Sequence, residues 1–438
     1  MPTAEKYRPA EIGACLPEGI PCGSAALTRT SEIPMAKLKS CGWIGSAMAA
    51  ALVVCCTHVH AADGNELFAL GAVQRGLGGA GAASAYDATW VSLNPAATVE
   101  LGRRIDISGE VLYLHTEGKV SGFPLVANTL GGEQRNTQWV AIPAMGATLP
   151  LGGGVLGGGL FGTQGNRLTY GDPRSTFGWL GNGDRSSEFE VVKFPITYAY
   201  PLGDGWAIGA GVVPTASRFR TDSVSLSLRE AEADNEWDVS YGVGYILSVH
   251  KRADKWSLGA AFHSRIWTQQ YEKYRNDVLR SRFDLPQKVQ VGVGFRPRPD
   301  VELLLDYKWM DWDSIGQLGR KATQNGLGWR DSHTVKFGAN WAVNERWAIR
   351  GGITYGRAPV REDTAFANFL TPAIAEWHLA AGVTRNLPRG QALHAALSFS
   401  LSEEAYESGR GDLFSKLGRG TRIAYQEADL TVQYSAEF

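Results

Sequence analysis

Residues 237–250 read WDVSYGVGYILSVH and alternate between two kinds of side chain. Every second residue from Trp237 to Val249 is apolar or aromatic, and those between are polar or small except Ile246. A period of two residues is that of a β-strand whose two faces meet different surroundings. Twelve steps of about 3.3 Å, tilted by about 40°, rise ~30 Å and cross an apolar band ~25 Å tall. The segment therefore predicts a membrane-crossing strand.

The same alternation recurs along the chain and predicts an antiparallel all-β barrel of fourteen strands. The predicted strands lie near 105–115, 139–150, 153–163, 188–200, 205–214, 237–250, 255–267, 286–297, 300–312, 331–343, 346–356, 375–387, 390–402 and 426–438. Tight turns alternate with seven long polar loops, near 116–138, 164–187, 215–236, 268–285, 313–330, 357–374 and 403–425. An even number of strands with alternating short and long connections is typical of bacterial outer-membrane barrels, which must close because every backbone polar group in lipid needs a partner.

Tryptophans lie at both ends of the predicted strands, as expected of the two aromatic girdles of such a barrel. Those beside short turns are Trp206, Trp256, Trp341 and Trp347, and those beside long loops are Trp139, Trp237, Trp267, Trp309, Trp312 and Trp377. The last strand ends on Phe438, in register with its apolar face. A terminal Phe of this kind predicts recognition by the barrel-assembly machinery of a Gram-negative outer membrane.

The composition narrows the function classes further. The 438 residues include 43 basic and 44 acidic side chains, and this balance argues against a nucleic-acid partner. All five cysteines lie between Cys15 and Cys56, which excludes disulfides, thiolate metal sites and a cysteine nucleophile from the rest of the chain. The histidines show no metal-binding spacing such as H-E-x-x-H, so no metal or other cofactor is predicted.

Residues 35–61 have the order of a secretory signal peptide. Lys37 and Lys39 form a basic start, residues 42–56 are apolar, and small residues precede a cleavage site predicted after Ala61. Because a signal peptide normally begins at the initiator, residues 1–34 are interpreted as a mis-called, non-native extension.

Residues 62–104 lack the period of two and are rich in Gly and Ala, with a single Pro. The segment is too small to fold alone and precedes the first strand, so it is predicted to plug the lumen of the barrel 105–438. The run 75–81 (RGLGGAG) also fits G-x-G-x-x-G, but no βαβ unit surrounds it, which argues against a dinucleotide site.

The run 75–81, followed by Asp87-Ala88 and by Asn94-Pro95-Ala96, resembles the N-terminal hatch of the FadL-like family of outer-membrane transporters for long-chain fatty acids, toluene and other hydrocarbons. The resemblance covers the hatch, the fourteen strands and the terminal Phe. It implies passive uptake of a hydrophobic small molecule by a monomeric channel, and a gating role for residues of the hatch. These residues are Gly76, Gly78, Gly79, Gly81, Asn94, Pro95 and Ala96.

The third predicted strand contains Gly157, Gly158 and Gly159, and glycines in a strand mark a bend, a bulge or a close approach. One interpretation is that they leave room for the hatch. The other, which the family resemblance implies, is a kink that opens a lateral exit to the lipid. The two interpretations are compatible and both stay open at this point.

Four basic residues are predicted to point into the lumen: Lys288, Lys308, Lys336 and Arg350. They are candidate contacts for a carboxylate head group, although they could equally be solvated lumen charges, and a neutral hydrocarbon would need none of them. The alternation therefore leaves fatty acid and aromatic hydrocarbon equally open.

Two other functions remain as alternatives. A porin for polar solutes would share the barrel but carry clustered lumen charges. An outer-membrane lipid hydrolase would need a Ser/His pair on the outer face, and the histidines to consider, His378 and His394, alternate inward instead. The chain is therefore predicted to be no enzyme. Its predicted surroundings are the lipid and lipopolysaccharide of the outer membrane.

Overall fold

The computed structural model describes residues 63–122, 133–171, 185–222, 235–276 and 278–438. The predicted signal peptide at 35–61 and the extension at 1–34 lie outside these residues.

The described strands form one closed antiparallel sheet. In chain order they are β1 (Arg104–Lys119), β2 (Glu133–Leu151), β3 (Gly154–Tyr170), β4 (Arg185–Lys193), β5 (Ile196–Gly203), β6 (Trp206–Asp222), β7 (Asp238–Arg252), β8 (Trp256–His263), β9 (Trp267–Thr268), β10 (Lys288–Arg298), β11 (Val301–Met310), β12 (Ser332–Asn344), β13 (Trp347–Gly356), β14 (Trp377–Leu387), β15 (Gln391–Ser400), β16 (Glu403–Tyr406) and β17 (Arg422–Glu437). The sheet closes because β1 pairs with β2 on one edge and with β17 on the other.

These seventeen strands make fourteen membrane spans, since three spans are interrupted. Both β4 and β5 pair with β3 and β6, both β8 and β9 pair with β7, and both β15 and β16 pair with β17. The predicted fourteen-stranded barrel is confirmed.

The two faces of the strands separate as the alternation predicts. In β7, Val243 and Leu247 point outward and are 51% and 50% exposed, whereas Ser240 and His250 point inward and are buried. Ile246, the exception in the pattern, is also buried and belongs to an apolar cluster inside the barrel. Apolar side chains on the outward face are stable there because lipid replaces water.

Several strands extend further into the predicted loops than the alternation indicated. Strand β2 begins at Glu133, β3 continues to Tyr170, β6 continues to Asp222 and β17 begins at Arg422. The outward face of these ends is mostly polar, so they lack the apolar face that marks a lipid-facing strand.

The prediction that Trp312 belongs to an aromatic girdle was wrong. Trp312 is buried and packs edge-on against Trp329, with ring centroids 5.1 Å apart, within the apolar core of the long loops. Its neighbours in the girdle prediction do lie outward, since Trp139, Trp206, Trp256 and Trp267 are exposed. A tryptophan beside a long loop can pack under that loop as readily as into the membrane interface.

The described parts of the long loops contain three short helices, α2 (Gly316–Gly319), α3 (Leu413–Leu417) and a 3-10 helix (Ala322–Gln324). At the other end of the chain Phe438 is exposed, and its backbone N–H donates to the carbonyl of Arg103. No helix among the described residues is both long and apolar enough to traverse a bilayer.

Residues 63–103 precede β1 and lie inside the barrel, as predicted for the hatch. They contain α1 (Gly71–Gly76) and two 3-10 helices, Ala88–Ser92 and Pro95–Glu100. Helix α1 packs against β1, β13, β14, β15 and β17. The first 3-10 helix packs against β1, β2 and β3, and the second packs against β3, β5, β6, β7 and β8. The hatch therefore spans the lumen from one side to the other.

Candidate hatch and lateral gate

The glycine run of the hatch brings backbone into contact with backbone. Gly78 and Gly79 adopt φ of +64° and +72°, and a Cβ on Gly79 would lie 2.1 Å from the Phe68 carbonyl oxygen. The wall contributes glycines of its own, because a Cβ on Gly352 would lie 2.1 Å from the Gly78 nitrogen. Glycine adopts left-handed backbone without strain, and its lack of a Cβ permits such close approach. The run therefore serves close packing inside the lumen.

The other glycines predicted for the hatch take part in the same docking. Gly76 faces Gly382, whose Cα would be 3.0 Å from an added Cβ. The backbone N–H of Gly81 donates to Asp306 Oδ2 at 2.9 Å, and its carbonyl accepts from Trp90 Nε1 at 2.8 Å. Their gating role stays a prediction.

The segment Asn94-Pro95-Ala96 fastens the hatch to β6 and β7. Asn94 caps the second 3-10 helix by accepting from the Ala96 N–H at 3.1 Å, and Pro95 occupies the first helical position, where its missing N–H costs nothing. The Asn94 amide also donates to the Ala82 carbonyl at 2.6 Å. The Ala96 N–H donates to Ser248 Oγ on β7 at 2.9 Å.

Arg75 anchors one side of the hatch to an acidic stretch of the wall. Its guanidinium donates to Glu110 Oε2 at 2.6 Å and to Asp429 Oδ2 at 3.0 Å, and it lies 4.6 Å above the ring of Phe68. All three charged side chains are buried. These charge-assisted hydrogen bonds stabilise the buried arginine, whereas its Nε and Glu110 Oε1 make no hydrogen bond.

Four lysines of the opposite wall meet the carboxylates of the hatch. We call Lys193, Lys288, Lys308 and Lys336 the lysine cluster. Lys308 Nζ donates to Asp63 Oδ2 at 2.8 Å and to Glu66 Oε1 at 2.9 Å, and Lys336 Nζ donates to Asp63 Oδ2 at 3.0 Å. Lys288 Nζ donates to Glu66 Oε1 at 2.6 Å, and Lys193 Nζ lies 3.4 Å from Glu66 Oε2.

The pKa values of the two hatch carboxyls reflect this surplus of positive charge. Burial raises the pKa of Asp63, but Lys308 and Lys336 outweigh it and hold the pKa well below its usual range. Burial likewise raises the pKa of Glu66, and Lys288, Lys308 and Lys193 together lower it further than burial raises it. Both carboxyls are therefore ionised when docked.

Three of the four basic residues predicted from the sequence thus come together, and Arg350 does not join them. Its guanidinium donates to Thr384 Oγ1 at 2.5 Å and lies 5.9 Å from the ring of Tyr86. Sequence reasoning missed Lys193, Asp63 and Glu66. Asp63 and Glu66 could have been found because they lie at the start of the predicted hatch. A carboxylate buried inside a barrel requires a basic partner.

Strands β2 and β3 stop pairing with each other before either strand ends. Their antiparallel ladder runs from Leu151–Gly154 to Ala144–Phe161 and ends there, while β2 continues along β1 as far as Glu133. Beyond Phe161, β3 pairs with the hatch instead. The Leu67 N–H donates to the Thr163 carbonyl at 2.9 Å, and the Gly165 N–H donates to the Asn65 carbonyl at 3.0 Å.

These two hydrogen bonds flank a β-bridge between Glu66 and Gln164. On its other edge this stretch of β3 pairs with β4, with a bulge between Gly162 and Gln164. Residues 65–67, which we call the hatch strand, therefore occupy the edge that β2 leaves.

The glycines of β3 lie just before this departure. A Cβ on Gly157 would lie 2.5 Å from Val91 Cγ1 of the hatch, and one on Gly159 would lie 2.4 Å from the Met145 carbonyl oxygen. Gly158 is less confined, because its Cβ would meet the Pro195 carbonyl oxygen at 3.4 Å. The hatch therefore packs against β3 in the same stretch in which β3 stops pairing with β2. Both interpretations of these glycines, room for the hatch and a kink at a lateral exit, stay predictions.

A cavity of about 50 Å³ lies beside the hatch strand. Its lining includes the lysine cluster, Glu66 and His263 together with the apolar residues Leu67, Leu70, Val213, Ile246 and Ile266. The space has room for a few waters at most, since one water needs roughly 10–15 Å³ measured in this way. The hatch therefore leaves little free space beside this strand.

The two histidines considered for hydrolysis both point into the barrel. His378 Nε2 lies 2.7 Å from Glu427 Oε1. His394 lies between Ser435 Oγ at 2.9 Å and Thr384 Oγ1 at 2.7 Å, without a carboxylate to orient it. Among the described residues, no group of three or more His, Cys, Asp or Glu side chains is arranged to hold a metal ion.

A family profile described as outer membrane protein transport protein (OMPP1/FadL/TodX) matches residues 53–412. The chain belongs to this family. It is thus an outer-membrane transport protein, and the family consists of transport channels. Among curated proteins, no sequence matches this chain closely enough to serve as a relative.

Solved structures share the fold of this family member at low sequence identity. A FadL homologue of Pseudomonas aeruginosa is 16% identical with a TM-score of 0.64, over 86% of this chain and 100% of the other. The toluene transporter TodX of Pseudomonas putida is 15% identical with a TM-score of 0.64, over 85% and 99%. The toluene transporter TbuX of Ralstonia pickettii is 18% identical with a TM-score of 0.59, over 85% and 99%.

Acidification is expected to strengthen docking of the hatch at Asp87. Burial and then the nearby Asp106 carboxylate raise the pKa of Asp87 to about 6, whereas a solvated Asp has a pKa of about 3.9. Between these values the docked carboxyl binds a proton that the undocked one does not, so docking gains free energy as the pH falls from about 6 to about 4. Protease accessibility of the hatch should therefore decrease from pH 7 to pH 5.

The matched variant is Asp87→Asn, which keeps the shape and removes the titration. We expect its protease accessibility to be nearly flat across this range. An unchanged pH response in Asp87→Asn would assign the effect to another group.

Proposed function

We propose that this family member is a passive channel for hydrophobic small molecules, closed by its hatch, which releases them sideways into the bilayer between β2 and β3. The observation that carries the proposal is the end of the β2–β3 ladder at Ala144 and Phe161, together with the hatch strand in its place. Unpaired backbone groups at a strand edge are costly in lipid, so the edge of β3 needs a partner. The hatch strand is this partner, and its departure would open the wall.

An apolar route leads toward this gate from the loops. Trp312, Trp329 and Phe369 of the loops belong to one buried cluster with Val140 and Ile142 of β2. The same cluster includes Leu67 of the hatch strand. A solute on this route moves from one apolar environment to another, and each CH₂ that reaches lipid recovers about 0.8 kcal/mol relative to water. Release sideways therefore needs no energy source.

The closed hatch leaves too little space for such a solute to pass. The cavity beside the hatch strand measures about 50 Å³, so a molecule with a long hydrocarbon chain requires displacement of the hatch. This requirement supports gating by the hatch rather than permanent opening.

A reversible cross-link tests the gate. Leu67 on the hatch strand lies opposite Thr163 on β3. The chain beyond Cys56 has no cysteine that could interfere. In the variant Leu67→Cys/Thr163→Cys we expect uptake of a labelled hydrophobic substrate to be lost under oxidation and restored by a reductant. Uptake would be measured in whole cells.

The two single-cysteine variants are the controls, since they carry the same substitutions without the bond. Wild-type uptake by the oxidised double variant, with the cross-link verified by mass spectrometry, would contradict release through this gate.

A further inference from the structure

We propose that Arg330 and Arg357, which we call the arginine pair, bind the phosphorylated head group of a lipid in the outer leaflet of the membrane. The acyl chains of this lipid lie along the outward face of β12 and β13. In a Gram-negative outer membrane the lipid is lipopolysaccharide. The site lies above β12 and β13, whereas the proposed gate lies between β2 and β3, so neither depends on the other.

Arg357 lies just above the lipid-facing part of the barrel. It follows Gly356, the last residue of β13, and is exposed two positions beyond the outward-facing Tyr355. Tyr355 packs against Trp377 of β14, with ring centroids 4.4 Å apart, and such outward aromatic rings mark the membrane interface. The pair is therefore placed at the edge of the hydrocarbon region.

The height of Arg357 is that of lipid head groups. Two steps of about 3.3 Å, tilted by about 40°, rise ~5 Å above Tyr355. The head-group region extends roughly 5–8 Å beyond the hydrocarbon core on each side. Long loops mark the extracellular end of such a barrel, so the leaflet at this height is the outer one.

Arg330 is tied to the short segment that follows Arg357. Its backbone N–H donates to the Pro359 carbonyl at 3.1 Å, and its Nε donates to the Ala358 carbonyl at 2.9 Å. Ala358 and Val360 are buried, so packing fixes this segment. Within the described part of the chain, Nη1 and Nη2 of Arg330 make no hydrogen bond and remain available to an oxygen acceptor.

The arginine pair forms no ion pair with any described residue. Three carboxylates of the surrounding segments are engaged by other groups: Asp363 by the Arg361 guanidinium, Asp331 by the Trp309 indole and the Asp313 N–H, and Glu376 by the Ala358 N–H. The pair is therefore left to find its anion outside the chain.

The charges of the arginine pair act on each other. Burial and then the charge of Arg357 lower the pKa of Arg330 below its usual range, while Glu376 acts in the opposite direction. A phosphate between the two guanidinium groups would relieve this repulsion, because arginine donates paired hydrogen bonds to phosphate oxygens.

The outward face beneath the pair suits acyl chains rather than water. Val335 and Phe337 of β12 and Tyr355 of β13 are between 39% and 47% exposed, and Val335 lies opposite Tyr355 in the ladder. A lipid with a phosphate satisfies the arginine pair and this face together. A soluble phosphate would satisfy the pair alone, so we assign the site to a membrane lipid.

The test measures lipid binding to the purified full-length barrel in detergent. The probes are diphosphoryl lipid A and the same lipid after enzymatic removal of both phosphates. The readout is the equilibrium dissociation constant of each by native mass spectrometry. Wild type should bind the phosphorylated form at least about tenfold more tightly, because the charge-assisted hydrogen bonds are lost with the phosphates.

Arg330→Gln/Arg357→Gln removes both charges. We expect it to weaken binding of diphosphoryl lipid A by at least about tenfold and to change binding of the dephosphorylated form by less than about twofold. Arg357→Gln alone alters an exposed side chain without a partner, so it should leave the fold intact and weaken binding by at least about threefold. Arg275→Gln is the matched control and should bind as wild type, because this exposed loop arginine is already paired with Glu272.

Heat-modifiable migration on a gel verifies that each variant is a folded barrel. Equal binding of the two lipids by wild type, wild-type binding by both arginine-pair variants, or an equal loss in Arg275→Gln would overturn the proposed lipid site. Excess inorganic phosphate should leave lipid A bound. Its displacement by phosphate would assign the arginine pair to a soluble anion and would equally overturn the lipid site.

Discussion

Deletion of residues 63–101 is expected to convert a closed barrel into an open pore. In the described structure these residues fill the lumen from α1 on one wall to the 3-10 helices on the other, and their side chains are mostly buried. The wall they leave carries glycines and polar groups that water can solvate. We therefore expect single-channel conductance in planar bilayers to rise from near zero to the level of an open outer-membrane barrel.

The deletion leaves β1 intact, since that strand begins at Arg104. Conductance equal to that of the full-length barrel would show that the hatch does not close the pore. The same experiment addresses the porin alternative, because a porin for polar solutes would already conduct with its hatch in place.

Arg75→Met is expected to undock the hatch from the acidic side of the wall. The substitution leaves Glu110 and Asp429 buried without a basic partner, and removal of one member of a buried ion pair typically costs about 3–5 kcal/mol. A change of this size shifts the docking equilibrium by roughly 150-fold to 5,000-fold. Leak conductance and protease cleavage within the hatch should both increase.

A rescue variant separates this electrostatic cost from a packing defect. In Arg75→Met/Glu110→Gln/Asp429→Asn the unpaired charges are gone, so docking should return toward the wild-type level. Leak that is as large in the triple variant as in Arg75→Met would show that the guanidinium holds the hatch by packing, for example on Phe68, and not by its ion pairs.

Much of the barrel could be predicted from the sequence because side chains of a barrel strand alternate between lipid and lumen, and the residue types alternate with them. The faces of β7 and the inward position of Lys288, Lys308 and Lys336 follow from this rule. The strand ends could not be predicted as well, since β2 and β3 lose their apolar face where they rise above the membrane. Trp312 was misplaced for a related reason, because a loop core and a membrane interface both attract tryptophan.

The candidate site could be predicted only in part. The inward direction of the lysines was a local property, but their partners were not. Asp63 meets Lys336 across 273 positions of sequence, and the hatch strand meets Gln164 across the lumen. Neither contact has a signature in the sequence around it.

The sequence by itself therefore determined the barrel, the number of its spans and the segment that fills it. These are properties of local periodicity and composition, which each strand carries independently. The tertiary structure alone decided that β3 exchanges β2 for the hatch strand beyond Phe161, and which charges meet inside the barrel. Both depend on contacts between residues far apart in the sequence, because only the closed sheet brings the hatch carboxylates among lysines from four different strands.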